Sequence, residues 1–258
     1  MKKKKIPWLI FGSGGYLNQH SRNINYSLSK LVHICINNGI FKFDTASSYS
    51  YGLDEYRFGK ILNTKINQCE ITSKVGFIKS PLQKFFEPKK RQNFSESFIL
   101  NSLQNSLNNL RRNFIDNYLL HSPPLNELEY GLETLKKIKF KGLVHNIGFS
   151  TSNLDNIFEY LEFLNLVDVI QIPCSTSPEF FEKIYEKVEG TDTKLVIRNT
   201  FKCWQLWPSI DKNFKKANYG LFLKHIHLRW PALNILCSSG KESHLQEMIN
   251  QINIKNPT

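Results

Sequence analysis

Six polar side chains, Asp44, Lys74, His121, Ser150, Gln171 and Arg198, each close a short run of strand-forming residues. An acid, a cationic amine and an imidazole are an inventory for proton transfer and charge stabilisation. These residues are far apart in the chain, so they can act together only if the fold gathers the strand ends. A closed barrel of parallel strands does this, because every C-terminal strand end opens on one rim.

The rest of the chain supplies the elements for such a barrel. Strand-like runs cover Ile6 to Phe11, Phe41 to Thr45, Glu70 to Lys74, Asn117 to His121, Val144 to Phe149, Val169 to Pro173, Lys194 to Arg198 and Leu233 to Cys237. Segments with helical spacing alternate with them. Leu28, Leu31, Val32 and Cys35 share one helix face, as do Ile99, Leu103, Leu107 and Leu110. Leu128, Leu132, Leu135 and Ile138 form a third such set, Leu154, Ile157, Phe158 and Leu161 a fourth, and Leu245, Met248, Ile249 and Ile252 a fifth. Ser95, Ser152 and Ser177-Pro178 are expected to start helices. A further helix is expected within Trp204 to Trp230. Eight strands alternating with helices predict a (β/α)₈ barrel, read as a single domain over residues 1–258.

Bulk properties narrow the function classes. The 258 residues are enough to bury a large core without metal or disulfide support. Five dispersed cysteines without a CxxC pair suggest reduced thiols in a cytoplasmic protein. The basic start and short apolar run to Phe11 lack the length and cleavage pattern of a signal peptide. The net charge of +12 is scattered over turns and helix faces with no aromatic-interleaved stripe, so neither nucleic acid nor membrane is expected as a partner. His225 and His227 have no third ligand in view, and no metal is expected. Gly12-Ser13-Gly14-Gly15 lacks the third glycine of a dinucleotide fingerprint and reads as a tight rim turn.

Five blocks then resemble the aldo-keto reductase family, in family order. Phe43-Asp44-Thr45-Ala46-Ser47-Ser48-Tyr49, followed by Gly52, Glu55 and Gly59, is similar to its D-T-A-x-x-Y segment. Ile71 to Gly76 is similar to its lysine strand, and Asp116 to Pro123 to its histidine strand. Gly142 to Ser150 and Val169 to Pro173 match the two strands that follow. The resemblance implies a catalytic tetrad of Asp44, Tyr49, Lys74 and His121, joined as a polar chain at one rim.

That set has a chemical logic. Reduction of a carbonyl builds negative charge on its oxygen, which needs a proton. The resemblance makes Tyr49 the donor. A free phenol holds its proton until about pH 10, and a cation beside it, the part given to Lys74, stabilises the phenolate. Asp44 would balance a buried Lys74, and His121 would orient the carbonyl oxygen.

The resemblance further implies an NADPH site, with NADH the other candidate. Ser150 and Gln171 would hold the nicotinamide carboxamide, Arg198 would cover the ring or reach pyrophosphate, and Ser239, Lys241 and His244 would stand near the 2′-phosphate. Thr151 replaces the family's usual asparagine, and the loops beyond Phe201 are reduced. Phe77, Trp204 and Trp207 are candidates for the substrate mouth. The implied activity is reduction of an aldehyde or ketone, sugar-derived ones among the candidates, by a monomer. The alternative is a non-catalytic cofactor-binding barrel that regulates a partner.

Overall fold

The structure, a computed structural model, describes residues 5–14, 24–63, 68–78, 91–206 and 218–254. Eight parallel strands close into a barrel in chain order: β1 (Leu9–Gly12), β2 (Lys42–Asp44), β3 (Glu70–Val75), β4 (Ile115–His121), β5 (Val144–Ser150), β6 (Val169–Pro173), β7 (Lys194–Arg198) and β8 (Asn234–Cys237). The ring closes where Leu9, Ile10 and Phe11 pair with Ile235, Leu236 and Cys237. β1 starts later than its apolar run suggests, because Ile6 turns back and its carbonyl accepts from the Leu9 amide.

Among the described residues the outer shell is α1 (Ile24–Asn37), α2 (Leu53–Leu62), α3 (Glu96–Leu110), α4 (Leu125–Phe140), α5 (Ile157–Leu161), α6 (Pro178–Val188), α7 (Thr200–Leu206), α8 (Tyr219–Arg229) and α9 (Glu242–Asn253). On α3 and α4 the buried stripes are the predicted ones, Ile99, Leu103, Leu107 and Leu110, and Leu128, Leu132, Leu135 and Ile138; on α5 they are not, because Leu154 precedes the helix, Phe158 is exposed and Tyr160 is buried in its place. Burying one such side chain contributes roughly 1.5–3 kcal/mol. Ser95 and Ser177 cap α3 and α6 by accepting from the Phe98 and Phe180 amides. Ser152 starts no helix. α5 begins only at Ile157, after Asn156, and spans five residues. The stretch from Trp204 to Trp230 holds the end of α7 and all of α8, with His225 and His227 in the latter; residues 207–217 lie outside the described ones.

Alternation along the strands separates two cores. Outward side chains such as Phe43, Ile71, Tyr118, Phe149 and Ile170 join the helices in one large cluster. Inward ones form a separate small plug of Ile10, Leu119, Val169 and Val196, with Leu236 against it. The plug divides the barrel interior into two polar ends.

The cysteines depart from the sequence reading in one respect. Cys174, just after β6, and Cys203, on α7, meet sulfur to sulfur as a disulfide pair with Cα atoms 5.6 Å apart, although 29 residues separate them. Cys35, Cys69 and Cys237 are buried thiols. No described helix is long and apolar enough to cross a membrane.

Candidate active site

The C-terminal strand ends open into a cavity of about 500 Å³. Asp44, His121, Ser150, Gln171 and Arg198 line it from five strands, and Tyr49 from the turn after β2. Lys74 lies beneath them, 1% exposed, beside Asp44 at 2%. A buried ion pair carries a desolvation penalty of several kcal/mol per ion unless its remaining bonding capacity is met. Here Lys74 Nζ donates to Asp44 Oδ1 at 2.5 Å and to the Thr45 carbonyl at 2.8 Å. Asp44 Oδ2 accepts from Gln171 Nε2 at 2.9 Å. An ionised carboxylate can only accept, so the Gln171 amide nitrogen must face it, and Oε1 is left to accept from the Ser150 hydroxyl at 3.0 Å. One chain of bonds thus runs Lys74–Asp44–Gln171–Ser150.

The local sequence sets each position. Backbone amides of Thr45 and Ser47 donate to the Thr72 and Lys74 carbonyls, extending the β2–β3 ladder into the loop. The Tyr49 amide then bonds to the Ala46 carbonyl and opens a 3₁₀ turn, Tyr49–Gly52, which swings the phenol over the rim. Glu55, the acid of the D-T-A block, is fully buried and accepts from the Ser73 hydroxyl at 2.7 Å, tying α2 to the strand that bears Lys74. Gly59 lets the same helix approach α3 closely: a Cβ there would stand 2.2 Å from the Asn109 carbonyl.

Tyr49 does not extend the bonded chain as expected. The Lys74 ammonium stands 5.3 Å from the centroid of the phenol ring, a cation–π distance, with its bonds directed to Asp44 and Thr45. The imidazole of His121 meets the Tyr49 ring edge-on at 5.8 Å, and Phe77 meets His121 edge-on at 4.8 Å. Burial, then Lys74, then Arg198 hold His121 well below the usual imidazole range, so it is neutral. Its Nδ1 is buried without a hydrogen-bond partner, which leaves Nε2 as the nitrogen able to serve the cavity.

Arg198 donates from Nη2 to the Thr151 carbonyl at 3.0 Å and to Ser152 Oγ at 2.6 Å. Ser152 also lines the cavity. Sequence reasoning read it as a helix start; a hydroxyl two residues past a strand-end block was the available signal. Thr151 turns its hydroxyl to the Asn153 amide and is 1% exposed, so it does not reproduce an asparagine aimed at the cavity. Thr200, at the start of α7, and Tyr219, at the start of the helix expected within Trp204 to Trp230, line the cavity and share a 2.5 Å hydroxyl contact.

The remaining expected residues divide. Phe77 lines the cavity, as do Gly12 and Gly14 of the first rim turn. Trp204 is on α7; Gly15 and Trp207 lie outside the described residues. Ser239, Lys241 and His244 are not in the lining. They sit at the turn into α9, next to Ser238, which is. Ser239 Oγ donates to the Lys241 carbonyl and accepts from its amide, shaping that turn.

The sequence from residue 8 to residue 199 matches the aldo/keto reductase family. An uncharacterized oxidoreductase of Bacillus subtilis, YcsN, is 33% identical over 145 residues, 54% of this chain and 48% of that protein. The NADH-specific methylglyoxal reductase of Escherichia coli is 27% identical over 177 residues, 65% of this chain and 53% of that protein. The chain thus spans about half the length of these curated relatives. An aldo/keto reductase from Klebsiella pneumoniae, solved with NADP and acetate, superimposes with a TM-score of 0.72 at 16% identity, covering 100% of this chain and 92% of that one. With the family match spanning most of its length, this chain belongs to the aldo/keto reductase family.

Proposed function

We propose that the chain reduces an aldehyde or ketone using NADPH, with Tyr49 as proton donor. The observation that carries this is the cavity itself, where a phenol, a neutral imidazole and a buried ammonium–carboxylate pair meet around one open space. The residues fit a nicotinamide dinucleotide. The Ser150 hydroxyl and Gln171 amide are polar partners for a carboxamide; Arg198 and Lys202 are cations in the lining, where Asp44, the one acid among its described residues, is paired with Lys74. When bound, that cofactor supplies the hydride.

The chain's own residues do the rest. His121 donates from Nε2 to the carbonyl oxygen and fixes its position. Tyr49 gives that oxygen its proton as negative charge develops there. The Lys74 ammonium, held by Asp44, stabilises the charge left on the phenol. Phe77 packs edge-on against the imidazole and supports its orientation. Substrates are small carbonyl compounds, and the enzyme is read as a cytoplasmic monomer formed by one barrel domain.

The 2′-phosphate of NADPH would rest near Ser239, Lys241 and His244, where the first turn of α9 also offers unpaired amides. NADPH should therefore bind more tightly than NADH, by a margin that narrows as salt screens the charges. Fluorescence titration with both cofactors, followed by turnover of methylglyoxal and other small carbonyls, tests the proposal. Cofactor oxidation matched by alcohol formation supports it. Tight cofactor binding with no turnover of any carbonyl would favour a regulatory barrel instead, and equal affinities at all salt concentrations would remove the 2′-phosphate assignment.

A further inference from the structure

Gly14 follows β1 in the first rim turn, and its backbone gives no reason for a glycine. Among the described residues the left-handed glycines are Gly39, Gly52, Gly76, Gly142 and Gly190; Gly14 is not one of them. An alanine could adopt its backbone conformation without strain. What Gly14 lacks is room for a side chain. A Cβ there would stand 2.8 Å from Tyr49 Cε2, 2.9 Å from Cζ and 3.1 Å from the hydroxyl oxygen. The three nearest atoms all belong to the outer part of one phenol.

Two further groups flank that ring. The Lys74 ammonium lies 5.3 Å from its centroid and the His121 ring 5.8 Å away at 79°. Both are fixed from behind: Lys74 by Asp44 and Thr45, and His121 at the end of β4 with Phe77 against it. The phenol therefore sits in a slot with the bare backbone of Gly14 as one wall. The turn carrying that wall is anchored to the strand that leads to Tyr49. The Ser13 amide donates to the Asp44 carbonyl at 3.0 Å, and the Ser13 hydroxyl to Thr45 Oγ1 at 3.3 Å.

We infer that Gly14 is a positioning residue for the proton-donating step: the absence of a side chain at residue 14 sets where the Tyr49 hydroxyl lies. The inference rests on the proposed role of Tyr49. It explains a glycine that neither backbone conformation nor a phosphate-loop pattern requires. The atoms a Cβ would meet are the end of a movable side chain, so the molecule can relieve the clash by swinging the ring. Folding is then little affected, while the hydroxyl moves relative to His121 and the bound carbonyl. A displacement of about 1 Å in a reacting group can reduce the rate roughly 100-fold.

The test is a double-mutant cycle with Gly14→Ala and Tyr49→Phe, read by thermal melting, cofactor affinity and kcat for a small aldehyde. Gly14→Ala is expected to keep the melting temperature and cofactor affinity, and to lower kcat about 10- to 100-fold. In the Tyr49→Phe background, where no hydroxyl remains to misplace, Gly14→Ala should change the residual kcat less than about 2-fold, since the two residues act as one unit. Gly14→Val should lower kcat further. Wild-type kcat in Gly14→Ala would overturn the inference, and so would an equal loss in both backgrounds, which marks a merely structural role. Full activity in Tyr49→Phe alone would instead overturn the assignment of the proton donor.

Discussion

The two ends of the barrel interior are both polar, yet only one is organised as a site. At the lower end, Lys42 donates to Asn234 at 2.8 Å, Asn117 to Glu70 at 2.9 Å, and Asn146 to Asn117 at 2.9 Å. Asn117 also donates to Thr72. These groups satisfy one another. At the upper end the cavity holds an imidazole with a partnerless buried nitrogen and a buried ion pair. Ser122 and Asn199, the residues directly after His121 and Arg198, are both forced into left-handed backbone with φ of 54° and 58°. Lower-end left-handed residues such as Arg111 and Gly142 serve the routine purpose of ending helices. Polarity inside a barrel is thus compatible with plain structure. Unmet bonding capacity and backbone strain around an open space mark where chemistry is prepared.

The largest effect should come from the buried charge pair. Asp44→Ala leaves the Lys74 ammonium buried without its counter-charge, which is expected to destabilise the protein by about 3–5 kcal/mol and abolish turnover. Urea unfolding measures the first. A loss under about 1 kcal/mol would show that water or another acid compensates Lys74, and that the upper end is less desolvated than described.

The lower end provides the contrast. Asn117→Ala, 3% exposed in the native chain, strands three partners on the two flanking strands and should lower stability by about 1–3 kcal/mol. The folded variant should keep the wild-type kcat, because the plug of Ile10, Leu119, Val169 and Val196 separates it from the cavity. A kcat reduced as far as in upper-end variants would break the distinction between the two ends.

Much of this organisation was legible in the sequence, for definite physical reasons. Strand runs and amphipathic helix faces carry the barrel, because period two and period 3.6 report burial directly. In a parallel barrel they also say which strand ends share a rim, so Asp44, His121, Ser150, Gln171 and Arg198 could be grouped beforehand. What could not be read was set by single side-chain choices across the rim. Ser152 has the residue type of a helix cap, yet it bonds to Arg198 from another strand. Cys174 and Cys203 look unrelated in spacing and meet because one follows β6 and the other follows β7, strands that pair side by side. The Lys74–Tyr49 relation depended on where the ammonium directs its donors, which composition does not encode.

A smaller effect concerns pH. Burial and the neighbouring cations depress the His121 value, so the folded protein keeps the ring neutral where the unfolded chain takes up a proton, below about pH 6.5. Its contribution to stability is complete above that pH and is lost as pH falls toward the folded-state value. Carbonyl reduction should show no break near pH 6.5. A kcat profile falling there with a one-proton midpoint would mean that His121 titrates as an ordinary exposed imidazole and that the upper end is open to water.

The most direct test of the central claim is hydride transfer in Tyr49→Phe with cofactor saturating. The ring still packs against Gly14, Lys74 and His121, so cofactor affinity should stay within about 2-fold while the proton is missing. Because general acid catalysis contributes roughly 100- to 10,000-fold, single-turnover reduction of a small aldehyde should slow by that order. Full-rate turnover by the phenylalanine variant would contradict the account, because the proton would then have to come from a group other than Tyr49.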